Sequence, residues 1–354
     1  MPSRSRQTGS AFKAFTLATA IDPGHEPRYH HQLQLTADLD DGSYKVSNYD
    51  NHSYGYISLA RATEVSANTG YVQVAKAVGI QNVIDMCHSL GIDDEMNAYS
   101  SLTLGTKELS TLQMAEAYST FAMGGEHRDA VAITEIQNRN GEVIYQHEDS
   151  PERVLDASVA AEINDILQGV ISSGTATGAQ LSVNQPFAGK TGTTEAPSDL
   201  WFCGYTPQYT MAVWTGHSGS NQRVTVNGRR ARTSDLPIPI ARNFFNTVLD
   251  GVEREEFPAA DGQITYQDDS VWEVDGKPLS GGGSKAITPE TETAVENEGT
   301  GTEAESTTTQ ESPHLPRDLA IGTRHHPGAR ARARSQTRAE PRTRAEPRRG
   351  CGHR

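Results

Sequence analysis

The stretch SAFKAFTLATAI, residues 10–21, has apolar or small side chains on one face at helical spacing. Asp22-Pro23-Gly24 follows it and is a strong stop signal for a helix. The pattern predicts a buried helix. Ser10 and Lys13 lie three residues apart at its start, so their side chains share one helix face. The segment therefore also contains a candidate nucleophile and a candidate base.

The chain around this stretch alternates helical and strand-like patterns. Helical periodicity predicts further helices at 56–78, 80–90, 108–123, 156–171 and 238–250. Short apolar runs predict strands at 186–194, 200–206 and 209–216. Asn140-Gly141, between 131–137 and 142–147, predicts a hairpin with a type I′ turn, in which both central residues have positive φ. The helix at 238–250 is expected to cover the sheet.

The composition sets limits on the function. The formal net charge of −14 over 354 residues argues against a nucleic-acid partner, because binding phosphates needs a cationic surface. Residues 258–312 are acidic and rich in Gly and Thr, and residues 313–354 are rich in Arg. Both segments are predicted to be disordered. The basic tail is either simply solvated or a contact for anionic polymers.

The sequence offers no pattern for a metal or a membrane span. The cysteines Cys87, Cys203 and Cys351 are far apart, and no pair has a CxxC spacing. No histidines have a spacing typical of zinc ligands. We therefore expect no metal and no cofactor. The chain contains no apolar run of the length that spans a bilayer and no apolar signal peptide near its start.

Three short motifs suit acyl transfer. The first is Ser10-Ala11-Phe12-Lys13, where Lys13 can activate the Ser10 hydroxyl if burial or nearby cations lower its pKa. The second is Ser66-Ala67-Asn68. In it Ser66 can relay a proton, and the Asn68 amide can bind an amide-bearing substrate.

The third motif is Lys190-Thr191-Gly192-Thr193. Lys190 and the hydroxyls of Thr191 and Thr193 can bind a substrate carboxylate, and Gly192 lets a substrate backbone lie close to the strand. The backbone N–H groups of Ser10 and Thr193 would then form an oxyanion hole. SxxK and SxN are each weak evidence alone, and an ordinary buried helix start with a surface lysine would also contain SxxK, whereas KTGT is rarer.

Together, and in this order, the motifs SxxK, SxN and KTG are the signature of penicillin-binding proteins and serine β-lactamases. Longer stretches strengthen the resemblance: RQTGSAFKAFTL, SANTGYVQVA, LQMAEAYSTFAMGG, AGKTGTT, DLWFCGYTP and AVWTG. The chain resembles a penicillin-binding-protein transpeptidase over residues 4–257, most like the bifunctional class A enzymes. The resemblance implies an α/β (α+β) fold of the serine β-lactamase/transpeptidase type, with an antiparallel sheet flanked by helices.

The resemblance also implies a function. The substrate would be the D-Ala-D-Ala end of a peptidoglycan stem peptide, with Ser10, Lys13, Ser66 and Lys190 catalytic. Asn68, Thr191, Gly192 and Thr193 would bind the substrate, and β-lactams would inhibit the enzyme by acylating Ser10. The enzyme would act at the extracytoplasmic face of the plasma membrane. A membrane anchor and a glycosyltransferase domain are expected in a full-length protein of this class.

The chain departs from the family at its start, where only nine residues precede Ser10. We therefore expect a partial transpeptidase domain over 1–257, without its N-terminal strands and with an exposed sheet edge. Alternatives to the D,D-transpeptidase are a D,D-carboxypeptidase, a non-catalytic fragment that only binds, and a product that does not fold alone. A β-lactamase is less favoured, because no motif between Ser66 and Lys190 supplies a base for the hydrolytic water.

Overall fold

The structure is a computed structural model that describes residues 5–27, 30–33, 36–39, 44–194, 197–260, 262–266, 273–274 and 277–278. The helices within these residues are α1 (Lys13–Ile21), α2 (Leu59–Glu64), α3 (Asn68–Val78), α4 (Ile80–Ser89), α5 (Thr111–Ala122), α6 (Ala157–Ser172) and α7 (Pro237–Val248). The first strands are β1 (Arg6–Gln7), β2 (His30–Leu33), β3 (Thr36–Leu39), β4 (Tyr44–Ser47), β5 (Gly55–Ser58), β6 (Glu108–Leu109), β7 (Glu126–His127), β8 (Glu135–Gln137) and β9 (Val143–Gln146). The later strands are β10 (Glu152–Arg153), β11 (Ala188–Thr193), β12 (Asp199–Tyr205), β13 (Thr210–Gly216), β14 (Thr225–Val226), β15 (Arg229–Arg230), β16 (Glu273–Val274) and β17 (Lys277–Pro278).

Helix α1 is the centre of the core. All nine of its residues are buried, and it packs against α2, α3, α4 and α6. A helix that is surrounded on all sides needs apolar or small residues at nearly every position, which KAFTLATAI provides. Its two threonines are satisfied: Thr19 Oγ1 donates to the Phe15 carbonyl at 2.8 Å, and Thr16 shares a 2.8 Å hydroxyl contact with Thr103. The predicted buried helix is confirmed, and a 3-10 turn, Gly9–Phe12, precedes it.

The sheet has the antiparallel order β11-β12-β13. Alternate residues of β12 contact opposite layers, as the period of a strand requires. Tyr205 donates to Asn164 of α6 at 2.7 Å, and its ring contacts Tyr118 of α5. Phe202 packs on Phe187, whose other neighbour is Phe245 of α7. The predicted antiparallel sheet flanked by helices is confirmed.

The prediction of one continuous helix over 56–78 is wrong. The segment contains β5, α2 and α3, with a break at Val65–Ala67 between the two helices. Ser66 has a φ of 57° there, in the left-handed region that a residue with a side chain avoids inside a helix. The break turns the Ser66 carbonyl toward Lys13, and the periodicity of the sequence gives no sign of this tertiary contact.

The predicted hairpin at Asn140-Gly141 forms between β8 and β9, but the predicted turn type is wrong. Gly141 has a φ of 83°, whereas Asn140 is not among the described residues with positive φ. The Asn138 side chain explains the difference, because its Oδ1 accepts from the N–H groups of Asn140 at 2.9 Å and Glu142 at 3.1 Å. These bonds stabilise a longer loop that needs only one left-handed residue.

The packed region continues to the end of the last helix and beyond it. Phe257 and Ile264, which lie on either side of the position where the composition changes, both pack against the core. Within the predicted acidic extension, β16 and β17 pair antiparallel. The rest of residues 267–312 and the whole Arg-rich tail, 313–354, lie outside the described residues. Among the helices that the structure describes, none is both long and apolar enough to cross a bilayer.

Candidate active site

The ammonium group of Lys13 has three oxygen acceptors in a buried cage. Nζ donates to the Ser66 carbonyl at 2.7 Å, to Asn68 Oδ1 at 2.8 Å and to Ser66 Oγ at 3.2 Å. It also lies 5.4 Å from the ring centroid of Tyr71, a cation–π distance. Within the described part of the chain, Lys13 Nζ makes no hydrogen bond to the Ser10 hydroxyl, although the Lys13 backbone N–H donates to the Ser10 carbonyl. The first and second motifs are therefore joined through Lys13, while Ser10 lies half-buried on the same turn.

Ser66 connects the first motif to the third. Lys190 Nζ donates to Ser66 Oγ at 2.9 Å, so this hydroxyl lies between the ammonium groups of Lys13 and Lys190. A left-handed conformation costs about 1–2 kcal/mol for a residue with a side chain. Here it directs both the carbonyl and the hydroxyl of Ser66 toward lysines that are fully buried. Backbone strain of this kind clusters at functional sites.

Burial lowers the pKa of both lysine side chains. The pKa of Lys13 is well below its ordinary value, first because burial removes the ammonium from water and second because Lys190 repels it. Burial lowers the pKa of Lys190 to about 7. Neither lysine has a carboxylate partner within the described part of the chain. A lysine whose pKa is lowered in this way holds its proton less tightly, so its neutral form is more available as a base.

This burial predicts a pH-dependent stability that Lys190→Met removes. Between about pH 7 and about pH 10.4, the unfolded chain keeps a proton that folded Lys190 has lost. Because the unfolded state then binds more protons, the free energy of unfolding rises with pH, by up to ~1.4 kcal/mol per pH unit. Urea unfolding at pH 7, 8 and 9 should show a steeper rise for the parent than for the variant. Parallel curves would contradict the lowered pKa.

An asparagine outside the motifs, Asn48, bonds to the residue that follows Asn68. Asn68 Nδ2 donates to the Ser47 carbonyl at 3.1 Å, while its Oδ1 accepts from Lys13. Asn48 Oδ1 accepts from the Thr69 N–H at 3.1 Å and so fixes β4 to the first turn of α3. Asn48 is buried although it is polar. No motif indicated Asn48, since Thr69, the partner of its Oδ1, is 21 residues away.

Three glycines bring the backbone around Ser10 into close contact. A Cβ on Gly105 would lie 2.0 Å from the Gly9 carbonyl oxygen, and a Cβ on Gly9 would lie 2.6 Å from the Thr193 oxygen. A Cβ on Gly192 would lie 2.3 Å from the Thr8 oxygen. The close approach predicted for a substrate backbone at Gly192 is made by the chain itself. These glycines therefore place the turn with Ser10 directly against β11.

The strand geometry supports the predicted oxyanion hole. The Thr194 N–H donates to the Asp199 carbonyl at 3.2 Å, so the antiparallel alternation points the Thr193 N–H away from β12. The Thr193 nitrogen would lie only 2.8 Å from a Cβ on Gly9, the residue before Ser10. The two N–H groups proposed for the hole are thus on backbone segments in contact.

Thr175 is a site residue that the motifs missed. Its hydroxyl lies 2.7 Å from the Thr191 hydroxyl, and its N–H donates to the Glu64 carbonyl at 3.0 Å. Thr191 is buried, whereas Thr193 is half-buried. The side chain of Thr193 is thus the more accessible of the two threonines predicted to bind a carboxylate.

One group of side chains has the composition of a metal site. Donor atoms of Glu116, His127 and Asp129 lie within 4.8 Å of one another. The sequence showed no metal-binding pattern there, since the residues come from α5, β7 and the segment after β7. Asp129 is exposed, and such groups are common on protein surfaces without an ion. Cys87 and Cys203 are buried free thiols, and Cys351 lies outside the described residues.

Comparisons with known proteins show which family the chain is similar to. A family model for the penicillin binding protein transpeptidase domain matches residues 3–234. The chain is 31% identical over 263 residues to penicillin-binding protein 1A of Aquifex aeolicus. The aligned region covers 71% of this chain and 34% of that protein. The same protein of Rickettsia bellii is 28% identical over 297 residues, covering 73% and 37%. The chain therefore spans about a third of the length of these curated relatives.

A solved structure supports the same assignment. PonA1 from Mycobacterium tuberculosis in complex with penicillin V superimposes with a TM-score of 0.66 at 26% identity, covering 74% of each chain. Penicillin-binding protein 1A from Haemophilus influenzae has the same TM-score of 0.66 at 19% identity, which shows the fold. The family model covers well over half of the 354 residues and includes all three motifs. The chain belongs to the penicillin-binding protein transpeptidase family.

Proposed function

We propose that residues 1–257 form a serine acyl-transfer domain that acts as a peptidoglycan D,D-transpeptidase. The observation that carries this proposal is the meeting of Lys13 and Lys190 at the hydroxyl of Ser66, against the turn with Ser10. A polar cluster of this kind is costly to bury, and a chain of proton donors and acceptors beside a serine suits acyl transfer.

The proposed reaction begins with attack by Ser10. Its Oγ forms an ester with the carbonyl carbon of the penultimate D-Ala, and the C–N bond to the last D-Ala breaks. Lys13, as a neutral amine, takes the hydroxyl proton. Ser66 gives its own proton to the leaving amine and is reprotonated by Lys13 through the hydrogen bond between them. The N–H groups of Ser10 and Thr193 bind the oxyanion. An amine of a second stem peptide then takes the acyl group and releases Ser10.

The remaining residues would bind the substrate. Lys190 and the Thr193 hydroxyl would bind its terminal carboxylate, with Thr175 orienting Thr191 beside them. Asn68 uses one hydrogen of its amide on the Ser47 carbonyl, and the other is left for a substrate carbonyl. Gly192 would contribute by letting the strand lie against the turn with Ser10 rather than by direct contact.

The partners and location follow from the same proposal. The similar PonA1 structure is a complex with penicillin V, and this supports β-lactams as ligands of Ser10 here. Peptidoglycan stem peptides would be the substrate, and the domain would act on the extracytoplasmic face of the plasma membrane. Transfer to water instead of an amine would make the enzyme a D,D-carboxypeptidase. Hydrolysis and amine transfer can be separated by adding an amine acceptor and measuring both products.

The first test is intact-mass analysis of the chain after incubation with benzylpenicillin. We expect one adduct with the mass of the intact antibiotic, because the β-lactam ring opens onto Ser10 without losing a group. Ser10→Ala is the control and should show no adduct. An unmodified parent that still unfolds cooperatively would reject the enzymatic function and leave the non-catalytic alternative.

A further inference from the structure

The hairpin of β14 and β15 is a basic patch on an acidic protein. Residues 217–236 contain four arginines and one aspartate, with no lysine or glutamate, while the whole chain has a net charge of −14. The four arginines are Arg223, Arg229, Arg230 and Arg232, and each is exposed. This charge concentration is not explained by folding, since exposed arginines bury little surface. We refer to residues 223–232 as the arginine hairpin.

The arginine hairpin is attached beside the third motif. Val224 and Ala231 pack against Leu200, the residue of β12 that pairs with Thr193. The Val224 N–H donates to the Pro197 carbonyl at 3.0 Å, which fixes the hairpin to the segment that joins β11 to β12. The hairpin therefore lies at the Thr193 end of β11.

Arg230 contacts the segment that bonds to the second motif. Its guanidinium carbon is 5.5 Å from the ring centroid of Tyr49. Tyr49 directly follows Ser47 and Asn48, which bond to Asn68 and Thr69. The Arg230–Tyr49 contact thus connects the element beside Thr193 with the element that holds Asn68. A ligand bound between Lys190 and Asn68 would extend toward this contact.

The charge of the arginine hairpin is only partly compensated. Arg229 forms two hydrogen bonds with Asp235, at 2.9 and 2.6 Å, and is neutralised. Arg232 also interacts with Asp235, to which its backbone N–H donates at 2.8 Å. For the side chains of Arg223 and Arg230, no carboxylate partner is present among the side chains that the structure describes. Stacking on Tyr49 uses the face of the Arg230 guanidinium and leaves its N–H edge to bind an anion. Tyr49 is 58% exposed, so an aliphatic chain can lie on it beside that edge.

We propose that Arg230 and Tyr49, supported by Arg223 and Arg232, bind a side-chain carboxylate of the peptide substrate, away from the bond that Ser10 attacks. This inference rests on the proposed function and specifies its substrate class as an acidic peptide. A guanidinium recognises a carboxylate through two parallel hydrogen bonds, which an amide cannot accept in the same way. Peptides with an amidated side chain should therefore bind more weakly.

The test compares two peptides that end in D-Ala-D-Ala and differ in one side chain, a free carboxylate or its amide. The full-length chain carrying Ser10→Ala binds them without turnover, and peptide NMR line broadening gives each Kd. We expect the acidic peptide to bind about tenfold more tightly, as is typical of a hydrogen bond to a charged group. Adding Arg230→Gln should abolish the preference, and Arg230→Lys should keep part of it. The preference should also fall as salt is raised.

Arg139→Gln is the matched control, because Arg139 is an exposed arginine in the turn between β8 and β9. It should keep the full preference. An equal Kd for the two peptides, or a preference that survives Arg230→Gln, would overturn the proposed subsite. Binding of a phosphate-bearing wall polymer through Arg230, with both peptides bound alike, would also overturn it. Penicillin acylation of the parent is measured separately, so failure of the proposed function is distinguishable from failure of the subsite.

Discussion

Replacing Lys13 with methionine is expected to lower the rate constant for acylation by benzylpenicillin by about 10²–10⁴-fold. Methionine is close to lysine in length and keeps the site filled, but it cannot take a proton. The structure supports this role because Lys13 is fully buried and its pKa is lowered, first by burial and then by Lys190. Time-resolved intact-mass analysis measures the rate, with the total adduct at long times as a check on active protein.

The stability of this variant should change less than its activity. The substitution removes the cost of burying an amine but leaves the oxygens of Ser66 and Asn68 without a donor, and these effects oppose one another. Lys76→Met is the matched control, since Lys76 is a half-buried lysine on α3, two turns beyond Asn68. It should acylate at the parental rate. Parental acylation in Lys13→Met would exclude Lys13 as the base.

Replacing Gly105 with alanine is expected to destabilise the protein by about 2–5 kcal/mol and to slow acylation by about 10²-fold. Gly105 has a φ of 77°, and its Cβ would lie 2.0 Å from the Gly9 carbonyl and 2.4 Å from the Gly9 nitrogen. Both neighbours are backbone atoms of the residue before Ser10. Relief of the clash therefore has to move the turn that carries the nucleophile.

Gly141→Ala separates the two causes of that loss. Gly141 also has a positive φ, of 83°, but nothing lies within 4 Å of its Cβ position. It should cost only the conformational strain, about 1–2 kcal/mol, and leave acylation unchanged. Urea unfolding and penicillin acylation are measured on both variants. Equal effects at the two glycines would show that the contact with Gly9 is unimportant.

The regular elements could be predicted from the sequence because their periodicity is local. The helix of residues 10–21, the helices at 80–90 and 156–171 and the three strands of the sheet all lie within a few residues of their predicted bounds. The errors fall where a particular hydrogen bond, distant or local, decides the backbone. Ser66 breaks a helical pattern because Lys13, 53 residues away, bonds to its carbonyl. Asn138 changes the turn type through its own side chain.

The sequence also predicted which chemical groups would meet but not how. It placed Lys13 beside Ser10, whereas the structure shows the Lys13 ammonium bonded to Ser66 and Asn68. Thr175 and Asn48 were missed because they carry no motif and act through single hydrogen bonds to distant residues. Roles for Ser10, Lys13, Ser66 and Lys190 in catalysis remain predictions until the acylation experiments are done.

By itself, the sequence determined the family, most of the helices, the three strands of the sheet and the identity of the three motifs. These depend on residue types at short, fixed spacings, which any folded form of the chain must keep. Only the tertiary structure decided that two lysines 177 positions apart share one hydroxyl. It also decided that Gly9, Gly105 and Gly192 bring the nucleophile's turn against β11. Burial and close backbone contact arise from packing between distant segments, so they set the pKa values and the geometry that no local pattern contains.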